Sequence, residues 1–341
     1  MSDRPAVRNQ IETYLQPVLA GLLALITLIG LIAPAIKSPQ PHDISVGLAG
    51  PPAATQPIAD AFAANAPGAF QFTTYASEAD ARAAIDSRSV DVALVIRPGG
   101  PRLIVAGAAG DGATGVITGA FTKVFQAQGQ ALPIETVHPF TAGDPHGLIL
   151  FFVVLAILVS TLIAQALLGL RRGPGFSGRS LVVVAYALAA APIAMGVATW
   201  IAGDYGSGFW TATALVGLGS AAIGAVVAGA ARLLGRPGIA LAALVAVLLD
   251  LVCSGGPIGS QLLPDAYRWL APAMPAGQLY SAIRGVLYFD NAGLGIPLAV
   301  LGLWLAGGLA LLAVGEMVAR RSAAPAGDRI RGDVAAHAPN R

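Results

Sequence analysis

Charge is what this sequence has least of. Asp, Glu, Lys and Arg together make up 11% of its 341 residues, against about a quarter in a soluble domain. That shortage excludes an ordinary soluble enzyme. With 55% hydrophobic residues and a mean hydropathy of +0.71, the composition is that of a polytopic membrane protein. Cysteine is reduced to Cys253 alone, which excludes a disulfide framework and a Cys-rich metal site within one chain. Lysine is nearly missing: of 20 basic residues only Lys37 and Lys123 are lysines. Neither stands in a G-x-x-x-x-G-K-[ST] loop, so no phosphate cradle, and no ATPase activity of the chain itself, is expected. H-E-x-x-H and G-x-S-x-G are absent too, and the chain reads as a non-enzyme with no cofactor of its own. A net charge of only +2 gives no global basic field that would point to nucleic acid.

What is there instead is long apolar runs. A bilayer-crossing helix needs about 20 apolar residues. Six segments meet or approach that: 17–36, 147–170, 180–202, 209–234, 238–253 and 293–319. The fifth is short, and Ser254, Gly255, Gly256 and Pro257 break it. Basic residues orient such a chain, because the cytoplasmic loops collect them. Arg4 and Arg8 precede the first run, and Arg171, Arg172 and Arg179 follow the second. Arg232 and Arg236 follow the fourth. Arg320, Arg321, Arg329, Arg331 and Arg341 follow the sixth. All fall on one side of a six-span arrangement, so both termini are expected in the cytoplasm. The first run also reads as a secretory signal, since Ala33-Pro34-Ala35 loosely imitates a cleavage site. Pro34 is a poor context for cleavage, and an uncleaved anchor keeps the parity.

The stretch 43–146 has a different composition, with nine acids against five bases. It is expected outside the membrane as an α/β domain. Strands are predicted over 44–48, 70–75, 91–96, 103–106 and 134–137, with 98–101 as a turn. Helices are predicted over 58–65, 78–85 and 115–128. Ser77 with Asp80 resembles a capping box, and Val116, Ile117, Phe121, Val124 and Phe125 line one helix face. Without cysteine the domain is expected to stand on its own apolar core.

Chemistry-bearing residues are few. His138, Asp144 and His146 gather before the second run, where a metal is one reading and ordinary boundary polarity the other. Asp250 is the one carboxylate inside a run, a candidate for a transport pathway or a wetted structural acid near a helix end. Gly217, Ala221, Gly224, Ala225, Ala228 and Gly229 form small-xxx-small pairs that let helices approach. In 254–292, two short amphipathic helices are predicted from Pro264 and from about Gly277. Tyr267, Trp269, Tyr280 and Tyr288 provide an interfacial aromatic belt. Arg268 and Arg284 make a full crossing there costly, so a re-entrant or interfacial pair is expected.

Taken together, Ser254-Gly-Gly-Pro257, Gln261-Leu-Leu-Pro264, Tyr267-Arg-Trp-Leu270, Pro272, Pro275, Gly277, Arg284 and Tyr288-Phe289 resemble type-2 ABC exporter permeases. The likeness is to the actinobacterial and phage-infection-protein-like group. Tyr75–Ile85 and Asp144-Pro-His-Gly147 add to it. The resemblance implies an α-helical polytopic protein of six transmembrane helices, with a re-entrant helical pair before the last and an inserted extracytoplasmic α/β domain. Its parts would be a cytoplasmic amphipathic segment 1–16, the first span 17–36, the outer domain 43–146, spans two to five in 147–253, the outer helices 254–292, the last span 293–319 and a basic cytoplasmic tail 320–341. It further implies a permease subunit in a bacterial plasma membrane that exports a hydrophobic or lipid-like substrate. The chain would pair with a second copy and with a separate ABC ATPase, which would hold the ATP and Mg. The ATPase contacts would fall at 8–16 and at Arg171, Arg172 and Arg179, although 173–178 is shorter and richer in Gly than a coupling helix. The first, second and fifth spans would form the dimer seam, with Asp250 near its outer exit. Two other readings stay open: a non-transporting receptor or cell-envelope assembly protein, and a proton-coupled secondary transporter using Asp250.

Overall fold

The computed structural model describes residues 4–37, 39–169, 175–256 and 258–336. It opens with helix α1 (Arg4–Lys37), which carries the apolar stretch Gly21–Ala35. An α/β unit follows: β1 (Ile44–Ala49), α2 (Pro52–Asn65), β2 (Phe70–Tyr75), α3 (Glu78–Asp86), β3 (Val92–Arg97), β4 (Gly100–Ala106), α4 (Asp111–Ala127) and β5 (Ile134–Val137). The sheet order is β2-β1-β3-β4-β5. β1 runs parallel to β2 and β3, β4 is antiparallel to β3, and β5 is parallel to β4.

Local chemistry explains these elements. Ser77 caps α3, its hydroxyl accepting from the Asp80 amide at 3.1 Å. Helix α2 begins six residues before the predicted start, because Pro52 suits the first helical turn, where its missing N–H costs nothing. The predicted turn at 98–101 tightens to Pro98-Gly99. Pro101 already stands in β4 opposite Ile96, and Gly100 takes the positive φ that closes the hairpin. Helix α4 starts at Asp111 rather than at 115.

The sheet is covered on both faces. Phe62 of α2 and Ile117, Phe121 and Phe125 of α4 close one face against Ile44, Val46, Leu48, Leu94 and Leu103. Ala81, Ala84 and Ile85 of α3 cover the other. The expectation of a self-sufficient core is corrected here. Leu262 completes the first face and Phe289 the second, and both come from the segment after the fifth apolar run. A sheet with two apolar faces and three short helices leaves area that α2, α3 and α4 do not cover.

The helical part comprises α5 (Leu148–Gly169), α6 (Phe176–Ala202), α7 (Phe209–Leu234), α8 (Arg236–Ala243), α9 (Asp250–Cys253), α10 (Asp265–Leu270), α11 (Pro275–Tyr288) and α12 (Gly295–Ala336). Among the described residues, five helices are long and apolar enough to cross a membrane: Leu148–Gly169, Phe176–Ala202, Gly206–Leu234, Arg236–Cys253 and Gly295–Arg321. This is the construction of a polytopic membrane protein. The fourth of these joins α8 to α9 through a π-helical stretch, Leu244–Leu249. At about 1.5 Å per residue its 18 residues extend roughly 27 Å, close to the thickness of a hydrocarbon core. It ends where Gly255 and Gly256 take positive φ.

Helix α7 is the axis of the bundle. Its apolar window is 72% buried, against 22–39% for the other four. Small residues make this possible. A Cβ on Gly308 would lie 2.5 Å from the Val226 nitrogen, and one on Gly229 2.8 Å from the Leu312 nitrogen, so α7 and α12 meet backbone to backbone. Gly224 makes room for the side chains of Val183 and Thr161, 3.2 and 3.3 Å from where its Cβ would stand. The small-residue pattern of the fourth predicted span thus packs inside the bundle.

The α/β unit and the arginine cluster occupy opposite ends of the bundle. At one end Gly143 touches Ala202, Gly208 touches Val286 and Leu287, and Gly293 touches Arg88. At the other, Glu316 accepts from Arg232 (2.8 Å) and Arg320 (3.4 Å), with Arg179 close by.

Candidate functional site

The region between the α/β unit and the bundle concentrates the polar chemistry of the molecule, and α11 is its centre. One face of α11, with Leu279, Ile283 and Val286, belongs to the bundle core. Asp250 fixes where the helix starts. This carboxylate is fully buried, and its two oxygens accept from the Ala276 amide at 2.8 and 3.0 Å. It therefore caps the first turn of α11 from a neighbouring helix, where an acid is favoured. Asp144 does the same for α5, accepting from the Ile149 amide at 3.0 Å.

Two arginines then tie the halves together in opposite senses. Arg284 of α11 reaches into the α/β unit and donates to the carbonyls of Ala108 (3.1 Å) and Ala109. Its guanidinium lies 4.4 Å from the Tyr280 ring centre. Arg88, in the turn after α3, reaches the other way. It donates to the Ser281 carbonyl (3.0 Å), the Ser281 hydroxyl (2.9 Å) and the Ala292 carbonyl (3.4 Å). It also stacks 5.2 Å over Phe289. Arg88 has φ +60, a conformation uncommon for a long side chain and held here by these contacts.

Beside the two arginines opens a cavity of about 970 Å³, walled by the α/β unit on one side and by the α9–α10 loop, α10, α11 and the start of α12 on the other. Arg88, Asp91 and Arg284 stand together in its wall. Burial holds the Asp91 carboxyl above its usual range, with Arg284 and Arg88 opposing the rise. Burial, and then the neighbouring Arg284, brings Arg88 down to about 10. A second group, Arg268 with Asp43 (3.1 Å) and Asp265 (3.3 Å), lies farther along the wall with both acids well exposed.

The residues singled out from sequence are placed as follows. Tyr267 donates to the Leu31 carbonyl at 2.9 Å, which joins α10 to α1. Trp269 is 83% exposed. Tyr280 does not stand in an aromatic belt. It is buried and donates to the Gly147 carbonyl at 3.1 Å. Tyr288 turns inward as well, edge-on to Phe140, and burial pushes its phenol up to about 12. The physical reason is that α11 is sandwiched between bundle and α/β unit, so neither aromatic face meets solvent or lipid freely. Arg179 lies at the far end of the bundle, while Arg171 and Arg172 lie outside the described residues, as does Pro257. Segment 8–16 belongs to α1. His138, Asp144 and His146 do not converge: His138 pairs with Asp86 at 2.7 Å, His146 with Asp111, and Asp144 caps α5. Among the described residues no group of three potential ligands is placed to hold a metal.

Arg88, Asp91 and Ser281 were not expected as site residues. In sequence Arg88 is one arginine after an ordinary helix, 193 residues from Ser281, and no spacing rule links them. The one cue was that Arg284 sits in a segment otherwise fit for a membrane.

Compared with known proteins, the chain matches no family model, no curated protein and no solved structure.

Proposed function

We propose that the chain is the membrane permease subunit of an ATP-driven exporter for a hydrophobic or lipid-like substrate. It works with a second copy of itself and with a separate ATPase that holds ATP and Mg. The observation that carries this reading is the order of the parts: a lead helix, an inserted α/β unit, four apolar helices, the short pair α10–α11 seated at the α/β end of the bundle, and a last long helix. That order is the one implied by the resemblance of 254–289 to type-2 exporter permeases. In this reading α1 supplies the sixth crossing through Gly21–Ala35. The arginines at the end opposite the α/β unit face the cytoplasm of a bacterial cell, and the α/β unit stands outside with α10–α11 as a re-entrant or interfacial pair. Arg171, Arg172 and Arg179 meet the ATPase.

The test is affinity purification from native membranes with cysteine pairs in α8–α9 in a Cys253→Ala background. An ABC-type ATPase recovered in equal amount, together with a cross-linked dimer, is the expected result. Monomers without an ATPase would shift the assignment to a receptor. That second reading is favoured by the cavity lying between the α/β unit and the bundle, where a bound molecule would touch both. The Ala276 amide gives the Asp250 carboxylate a structural role as a helix cap, one that a proton-coupled secondary transporter would not require.

A further inference from the structure

We propose that the cavity between the α/β unit and the bundle binds the anionic headgroup, a phosphate or carboxylate, of an acyl-chain amphiphile whose tail leaves past Trp269 and Ile296 into the bilayer. The proposal deepens the exporter reading and rests on it only for the direction in which the bound molecule moves.

The size fits: about 970 Å³ lies at the upper end of small-molecule sites. Charge is distributed unevenly along the wall. At one end Arg268 faces both Asp43 and Asp265, which leaves one negative charge in excess there. Deeper in, Arg88 and Arg284 share only Asp91, which leaves one positive charge in excess. The hydrogen bonds of the two arginines all go to uncharged groups, so their charge is not cancelled by their partners. Donor capacity is left over as well. Arg284 Nε and Arg268 Nε are buried without a partner, and both residues line this cavity. Buried unpartnered donors on cations are costly, and an anionic oxygen relieves that cost.

The rim differs from the interior. Trp269 and Ile296 are 83% and 69% exposed, and Ile296 stands in the first turn of the apolar helix α12. A polar interior opening onto exposed apolar side chains at the start of a membrane-crossing helix suits a molecule with a charged head and a hydrocarbon tail. A free phosphate would leave this rim unused.

The full chain, reconstituted in phosphatidylcholine nanodiscs, decides the matter by fluorescence quenching. A Trp200→Phe, Trp210→Phe background removes two lipid-facing reporters. Phosphatidic acid with brominated chains should half-quench the remaining signal at about tenfold lower mole fraction than brominated phosphatidylcholine, the scale of one charge-assisted hydrogen bond. Trp269→Phe should abolish most of that quenching. Arg284→Gln should remove the preference, but it also cuts a latch between the two parts. Ser45→Glu keeps the test open: Ser45 lines the cavity and takes part in neither latch, and a carboxylate there should remove the preference with the fold intact by circular dichroism. Equal quenching by both lipids overturns the proposal, as does a preference that survives Ser45→Glu. Brominated phosphatidylethanolamine matching phosphatidic acid would overturn the anionic headgroup in favour of a zwitterion held on Asp91. Inorganic phosphate protecting Arg284 from phenylglyoxal while the lipids show no preference would overturn the acyl chain. The assay contains neither ATPase nor ATP, so its failure leaves the exporter reading standing, and a missing ATPase leaves the binding result standing.

Discussion

The α/β unit and the helical bundle are built from similar residue types used in different ways. In the α/β unit the large side chains are inside. Phe62, Phe70, Phe72 and Phe121 stack with ring centres 4.7–6.5 Å apart, the arrangement that water enforces by expelling apolar area. The bundle keeps large side chains on both sides. Leu150, Leu158, Met195 and Ile223 are fully buried in its core, while Leu181, Leu188, Ile193, Trp200 and Leu303 are all mostly exposed, and glycines bring α7 and α12 into their closest approach. Lipid gives no hydrophobic drive for helices to associate, so close backbone approach and buried hydrogen bonds must do it. The Thr161 and Ser220 hydroxyls, 2.9 Å apart inside the bundle, are one such bond. An exposed leucine therefore faces lipid in one half, whereas in the other it would be an exposed apolar patch.

Truncation should break the comparison most sharply. Phe121→Ala removes a fully buried ring from the α/β core and should cost about 3–5 kcal/mol there. Hydrogen exchange should show the loss confined to β1–β5 and their helices, with α5–α7 unchanged. The bundle should fail by the opposite change, an addition. Gly308→Val drives methyl groups into the α7 backbone and should cost near the top of about 1–3 kcal/mol, read as a lower melting temperature in detergent. At the border between the halves, Asp250→Ala leaves the Ala276 amide without its acceptor and should cost about 1–3 kcal/mol. Asp250→Asn, which keeps one oxygen, should recover most of that in the same melting assay. If Asn is as damaging as Ala while folding is normal, the carboxylate has a charge-dependent role beyond the cap.

Two smaller effects sharpen the solvent side of the contrast. Gly115 lies in α4 with open space around a Cβ, so Gly115→Ala should stabilise the α/β unit by about 0.5–1 kcal/mol. Glu135 is held below the usual carboxylate range, first by its hydrogen bond from Arg82 and then also by Arg102. Arg82 bridges α3 to β5 through Glu78 and Glu135. A lowered carboxylate pKa contributes stability that is present above the unfolded value and lost as pH falls through the folded one. Glu135→Gln should therefore lower stability modestly near neutrality, where the carboxylate is charged and paired, and flatten the acid limb of the unfolding curve below about pH 4, where that contribution is already lost.

Much of the α/β unit was legible in the sequence. Alternation gave β2 over Phe70–Tyr75 and β5 over Ile134–Val137 at their observed bounds, and the Ser77 hydroxyl marked the start of α3. These are local signals, set by side-chain period and by one cap. Apolar length likewise located all five helices of crossing length among the described residues, the short run at 238–253 included, whereas in the first run only Gly21–Ala35 is apolar helix, short of that length. The site was scarcely legible. Arg284 and Asp250 stood out because a charge in an apolar segment is conspicuous. Arg88 and Asp91 did not, because a charge at the end of a surface helix is ordinary until its neighbours are known. Tyr280 and Tyr288 were misplaced for the same reason: an amphipathic helix shows which residues share a face, but the sequence does not say what covers that face.

The sequence by itself determined that this chain enters a membrane, where its helices run, and that a water-built α/β unit is inserted among them. Composition and periodicity are properties of contiguous residues and can be read without a fold. Only the tertiary structure decided that Leu262 and Phe289 finish the α/β core, that Asp250 starts α11 rather than standing free, and that Arg88 and Arg284 cross between the halves beside a cavity. Those pairings join residues far apart in the chain, and nothing local in the sequence carries the free energy that brings them together.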